Sequence, residues 1–163
     1  MGGNLFSLAL IKLLLNRLKK MNVNEDGIIE IARSWLNTPW HHNQNKKGLG
    51  VDCVNFLASV AIESGYDIPP IPKKYGRIAT STEIEDYLDV HFIRKNRTKE
   101  LNKTDLLLFK YSGYNTHVAI ATSENTIIHA SLGHGKVIEH PIDGVWWRIL
   151  KNTWSFEKRW LNY

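Results

Sequence analysis

Three residues of this sequence are suited by type and position to covalent chemistry: Cys53, His117 and His129. Cys53 follows Asp52 at the predicted start of a helix. A capping aspartate leaves the next backbone N–H groups without helical partners, and their partial positive charge stabilises a thiolate and lowers its pKa. The same N–H groups can hold an oxyanion during acyl transfer. A thiolate nucleophile also needs a base that takes its proton and later protonates a leaving amine, and histidine does both near neutral pH. Alone, a cysteine on an apolar helix reads equally well as a small buried hydrophobe, and one strand histidine as a structural residue. The combination is more telling. His117 opens one predicted strand and His129 lies in the next. An odd number of connecting residues, such as Thr122–Glu124, puts both imidazoles on one face, where one can orient the other; an even number separates them.

The elements that must position these residues follow from the apolar periodicity. Ile28, Ile31, Ala32, Trp35 and Leu36 recur at helical spacing after Asn22 or Asn24, either of which can cap. Asn37 suits a left-handed position and Pro39 blocks continuation. His41 to Gly50 reads as a polar loop. A second helix runs from Asp52 to near Gly65 with Val54, Leu57, Ala58, Ala61 and Ile62 as its buried stripe. Ile68 to Pro72 is extended, and a short helix is expected over 82–88. Then the period becomes strand-like at 106–110, 117–122, 126–131, 136–139 and 147–150. Helices first and an antiparallel meander second predict an α+β domain.

The sequence resembles the NlpC/P60 family of cysteine peptidases, within the papain-like superfamily. The stretches that carry the resemblance are ARSWLNTPWHH (32–42), GVDCVNFL (50–57), TDLLLF (104–109), HVAI (117–120) and IIHAS (127–131), in the family's order over roughly residues 26–157. KGLGV (47–51) and WWRILKNTWSF (146–156) look most like its phage-tail and gene-transfer-agent branch. The resemblance implies a papain-like fold with N-terminal helices packed on a small antiparallel sheet. It makes Cys53 the nucleophile, His117 the base and acid, and His129 the residue that orients the His117 ring. It further implies hydrolysis of amide bonds in peptidoglycan stem peptides, commonly next to D-glutamate, without metal or cofactor. Trp40, His41, Asp52 and Val54 fall along the implied substrate cleft.

Four departures from the family pattern bear on activity or packing. Trp40 stands in place of an active-site tyrosine; its indole N–H still donates, but it is bulkier. Val54 and Asn55 replace a Ser-Gly pair that follows the nucleophile, which removes a hydroxyl suited to a free substrate amine. Thr104 and Ala119 replace glycines and read as packing changes. A protein that keeps the fold in a phage-tail-type structural or assembly role, without turnover, is the alternative function. An amide or thioester transferase on the same fold is another.

Other features yield weaker signals. A single cysteine excludes an intrachain disulfide and a Cys-rich zinc site, and His41 and His42 lack a third ligand at suitable spacing. Asp52 reads first as a helix cap. Trp35 belongs to the core, and Trp146, Trp147, Trp154 and Trp160 fit the core better than a sugar platform. Arg94, Lys95, Arg97 and Lys99 follow an acidic patch and have no interleaved aromatics, so nucleic acid is not an expected partner. The net charge of +5 resides mostly in Lys12, Arg17, Lys19 and Lys20. Residues 1–21 therefore form a basic, amphipathic extension ahead of a nearly neutral catalytic domain, 22–163. The apolar stretch 5–18 is interrupted and too short for a membrane span. Its basic residues follow or interrupt the apolar run, unlike a secretory signal. Weak membrane contact through 5–20, a helix docked on its own domain, and a translated leader ahead of Met21 are the open readings. Synthesis in the cytoplasm with phage-type or other delivery to the wall is the expected route.

Overall fold

The structure is a computed structural model that describes residues 8–11, 24–71, 81–95, 100–110 and 116–156. Of the extension, only the helical turn 8–11 is among them, with Leu8, Leu10 and Ile11 exposed. The remainder of 1–21, the alternative cap Asn22, and Arg97, Lys99 and Trp160 lie outside the described residues. Among the described residues no helix is long and apolar enough to cross a membrane.

Helix α1 spans Glu25–Arg33 and is capped by Asn24, whose side chain accepts from Gly27 N–H at 2.9 Å. Glu25 and Asp26 at its start and Arg33 at its end complement the helix dipole. Ile28, Ile29 and Ala32 are buried, as is Trp35 just beyond. Asn37 takes the left-handed conformation (φ 65°) that its short polar side chain tolerates. The chain then crosses onto the sheet: Asn37 N–H donates to Val137 O at 3.1 Å, Val137 N–H to Thr38 O at 2.9 Å, and Trp40 N–H to Gly135 O at 2.8 Å.

The polar loop at 41–50 is more ordered than its composition predicts. β1 (Asn45–Lys46) and β2 (Gly50–Val51) form a two-residue antiparallel pair. Gly50 is required there, because an added Cβ would lie 2.8 Å from the ring of His41. Helix α2 (Cys53–Glu63) follows, capped by Asp52. It is buried on most of its circumference: Phe56 and Val60 join Val54, Leu57, Ala58 and Ala61, whereas Ile62 is 37% exposed. The expected one-sided stripe is therefore too narrow, since this helix is wedged between α1 and the sheet.

Helix α3 (Ser81–His91) outlasts the expected 82–88, and β3 (Ile93–Lys95), unforeseen, continues from it as an edge strand. β4 (Leu106–Lys110), β5 (Thr116–Ala121), β6 (Thr126–Ser131) and β7 (Lys136–Pro141) form the expected meander. The strand expected at 147–150 is instead helix α4 (Gly144–Ile149) leading into β8 (Leu150–Ser155). Asp143 causes the difference: its Oδ1 accepts from Val145 N–H at 2.9 Å and Trp146 N–H at 3.3 Å, nucleating a helical turn ahead of the strand. The sheet order is β3-β8-β4-β5-β6-β7. One face carries Leu106, Leu108, Val118, Ile120, Ile128 and Trp154 against α1 and α2; the other buries Leu107, Phe109, Ala119, Ala121 and Ile127 beneath α4. An α+β fold of helices packed on an antiparallel sheet is thus observed, as expected.

Thr104 does not act as a packing substitution. It sits at φ 67° in the turn before β4, 5% exposed, with its N–H donating to Ala121 O at 2.8 Å. A β-branched residue in that region is strained by about 1–3 kcal/mol, which explains why glycine suits the position. Thr104→Gly is expected to stabilise the domain by about 1 kcal/mol after the entropy glycine returns to the unfolded chain. Urea midpoints measure this; an unchanged or lowered midpoint contradicts it. Ala119, by contrast, is buried in the second core as a packing residue. The basic cluster is also explained locally: Arg94 pairs with Glu85 and Asp89, and Lys95 with the buried Asp105.

Candidate active site

The hairpin register decides the arrangement of the two histidines. Ile120 pairs with Ile128 and Ala121 with Ile127, so five residues separate the last paired positions, and His117 and His129 share a face. Their rings meet: His117 Nε2 lies 2.7 Å from His129 Nδ1. His129 is 2% exposed and His117 is half-buried.

Cys53 approaches from the other partner of this arrangement, the first turn of α2. The β5–β6 ladder ends at Ile120 and Ile128, and past its end the Val118 N–H acts on the Cys53 sulfur, together with the N–H groups of Val54 and Cys53 itself. The thiol thus lies against the backbone of the residue that follows His117. Its protonation differs from the expectation. Burial, and then the carboxylate of Asp52, push the thiol up to about 12, and the three N–H groups offset this only in part. The helix start does favour the thiolate, but the residue that caps it carries a negative charge beside the sulfur. Burial, and then the neighbouring His140, push His117 down to about 4; burial holds His129 lower still. At neutral pH the Cys53 thiol and the His117 and His129 imidazoles all rest uncharged.

The arrangement can be set beside known proteins. The model of the NlpC/P60 family matches residues 37–155. The chain belongs to that family. Its fold is similar to that of the NlpC/P60 domain of the peptidoglycan hydrolase SagA (TM-score 0.59, 21% identity, 82% of this chain and 99% of that one). It is also similar to the Mycobacterium tuberculosis peptidoglycan hydrolase RipB (0.59, 16%, covering 88% and 68%). An NlpC/P60 family protein from Bacillus cereus gives 0.60 at 19% identity, with 80% of this chain but 39% of that one covered. No sequence among curated proteins matches.

Within this NlpC/P60 domain the residues expected along the cleft separate by environment. Asp52 is 3% exposed and serves the backbone: Oδ1 accepts from Asn55 N–H at 3.0 Å and from its side-chain amide at 3.1 Å, and Oδ2 from Asn43 N–H at 2.7 Å. Val54 is 7% exposed, inside the main core. Trp40 is half-buried, its ring stacked on His42 with centroids 6.5 Å apart. His41 is exposed, its N–H donating to Val51 O of β2 at 3.1 Å. Of the four, Trp40 and His41 retain surface for a ligand.

Two residues of this NlpC/P60 site escaped the sequence reading. His140 lies with Nε2 2.9 Å from His129 Nε2, and Trp146 packs on His117, His129 and His140 with centroids 6.0, 5.2 and 5.3 Å away. The signal for His140 was the four-residue turn 132–135, which puts it on the face of His129; the strand was expected to end at 139 and runs two residues further, to Pro141.

Asp52→Asn separates the cap from its charge. Asparagine keeps an acceptor for Asn55 N–H but removes the negative charge beside Cys53. The substitution is expected to lower the thiol pKa and speed alkylation of the only cysteine, while costing about 1–3 kcal/mol through the lost acceptor for Asn43 N–H. Iodoacetamide rates against pH, with thermal melts, check both parts; a slower or unchanged alkylation rate contradicts the assigned sign.

Proposed function

We propose that the protein is a thiol-dependent hydrolase of peptidoglycan that cleaves amide bonds in stem peptides, as a γ-D-glutamyl-type endopeptidase. The observation that carries this reading is the Cys53 sulfur set against the backbone N–H of Val118, the residue that follows His117, whose ring meets His129 at 2.7 Å. Family membership and the fold shared with SagA and RipB, both peptidoglycan hydrolases by description, support the substrate class.

In this mechanism His117 takes the thiol proton as the sulfur attacks the amide carbonyl, and His129 accepts from His117 Nε2–H to steady the resulting imidazolium. Because both groups rest neutral, the proton leaves the sulfur only as the sulfur bonds to the carbonyl carbon, so the negative charge develops on the carbonyl oxygen and not on a free thiolate. Backbone N–H groups at the start of α2 hold the oxyanion. His117 then protonates the departing amine and later activates water to release the acyl group. Trp40 forms one wall of the cleft. The KGLGV and WWRILKNTWSF stretches support a place in the phage-tail branch, and delivery to the wall by a phage-type particle belongs to the same proposal.

Mass spectrometry of muropeptides after digestion of purified wall tests this, comparing wild type with Cys53→Ala. New stem-peptide fragments from wild type alone support it; fragments from both proteins, or from neither, reject it. The raised thiol pKa and the loss of Ser-Gly at Val54 and Asn55 favour a second reading, a structural protein with this fold and no turnover, for which neither protein cleaves.

A further inference from the structure

We infer that His140 is a positioning residue of this site: through His129 it sets the tautomer in which His117 carries its lone pair on Nδ1, ready to take the thiol proton. The inference rests on the reading of Cys53 and His117 as nucleophile and base. Its origin is one backbone carbonyl. His140 Nδ1 lies 2.8 Å from Pro141 O, and a carbonyl only accepts, so Nδ1 bears the hydrogen. A neutral imidazole has one N–H, so His140 Nε2 accepts. Its neighbour at 2.9 Å is His129 Nε2, which must donate. His129 Nδ1 then accepts, and its neighbour at 2.7 Å, His117 Nε2, must donate. Nδ1 is the lone-pair nitrogen of His117.

Reversing any one ring reverses the rest. A hydrogen on His140 Nε2 would set lone pair against lone pair at Pro141 O and force a hydrogen onto His117 Nδ1, leaving the thiol no base. The environment favours the inner part of the ladder: His129 is 2% exposed and the Trp146 ring packs on all three imidazoles, so water has little access to the buried His129 nitrogens. β7 supplies the placement. His129 is directly opposite Ile138, which makes His140 its diagonal neighbour on the same face.

The test uses the full chain and needs no wall substrate. Long-range 1H–15N spectra at pH 7.5 are expected to give Nε2–H for His117 and His129 and Nδ1–H for His140. Iodoacetamide alkylation, which reads Cys53 alone, is then compared for wild type, His140→Phe and His140→Gln. Phenylalanine is expected to slow alkylation roughly tenfold and bring in a second His129 tautomer. Glutamine, which can accept from His129 and donate to the Pro141 carbonyl, is expected to stay within about threefold of wild type. Nδ1–H on His117 in wild type overturns the inference. So does a Phe variant of unchanged tautomer, whether its alkylation slows or not. If the Phe variant does not fold, the wild-type spectrum and the Gln variant still decide. Wall hydrolysis retained by Cys53→Ala would instead reject the functional reading and leave the tautomer ladder standing.

Discussion

Wall digested with Cys53→Ala protein is expected to yield no new stem-peptide ends, and His117→Ala protein to work at least about 10³-fold slower than wild type. In the proposed mechanism the sulfur supplies the covalent bond, so its loss removes the pathway. The imidazole would supply proton transfer, worth roughly 10²–10⁴-fold, and would also convert a thiol held at about 12 into a nucleophile. Because the two act as one unit, the double variant is expected to be no slower than Cys53→Ala alone. Cys53 is half-buried at a helix start, so alanine there preserves the fold, and a melt confirms it. His117 packs on Phe109 and Trp146, so His117→Gln serves as a second variant that keeps more of the volume. Activity of the His117 variants within tenfold of wild type would remove His117 from the mechanism.

The same buried imidazoles are expected to make the domain acid-labile well above the carboxylate range. His117 is held neutral down to about 4, and His129 lower, both by burial. In the unfolded chain each titrates near 6.5. Below 6.5 the unfolded state therefore binds more protons than the folded state, and stability falls with pH. The stabilisation is complete above 6.5 and is lost progressively toward 4, by about 1.4 kcal/mol per pH unit for each histidine. Two histidines over two pH units amount to roughly 5 kcal/mol, comparable with the total stability of a small domain, about 5–15 kcal/mol. Glu139, held low by its hydrogen bond to Arg33, contributes only below its ordinary value of 4.5, so the windows separate. Denaturant midpoints between pH 7 and 4.5 measure the slope, and His129→Asn is expected to flatten it. A midpoint constant to pH 5 would contradict the burial of both rings.

Much of this protein was legible in its sequence because the signals were local. Asn24 and Asp52 cap helices, Asn37 turns left-handed, and four strands start within a residue of expectation, since caps, turns and alternation depend on neighbours a few positions apart. Cys53 at a helix start followed from the same rules, whereas the shared face of the two histidines waited on the hairpin register. The tertiary structure decided what depends on distant neighbours. Whether Cys53 rests as thiol or thiolate is set by burial and the Asp52 charge against the helix N–H groups, a balance that no spacing encodes. Thr104 became a strained turn residue through the register of β4 and β5. The strand at 147–150 gave way to a helical turn capped by Asp143. His140 entered the site only when β7 was laid beside β6 and Pro141 O faced its Nδ1, because a hydrogen-bond ladder across three strands forms only once their register is fixed.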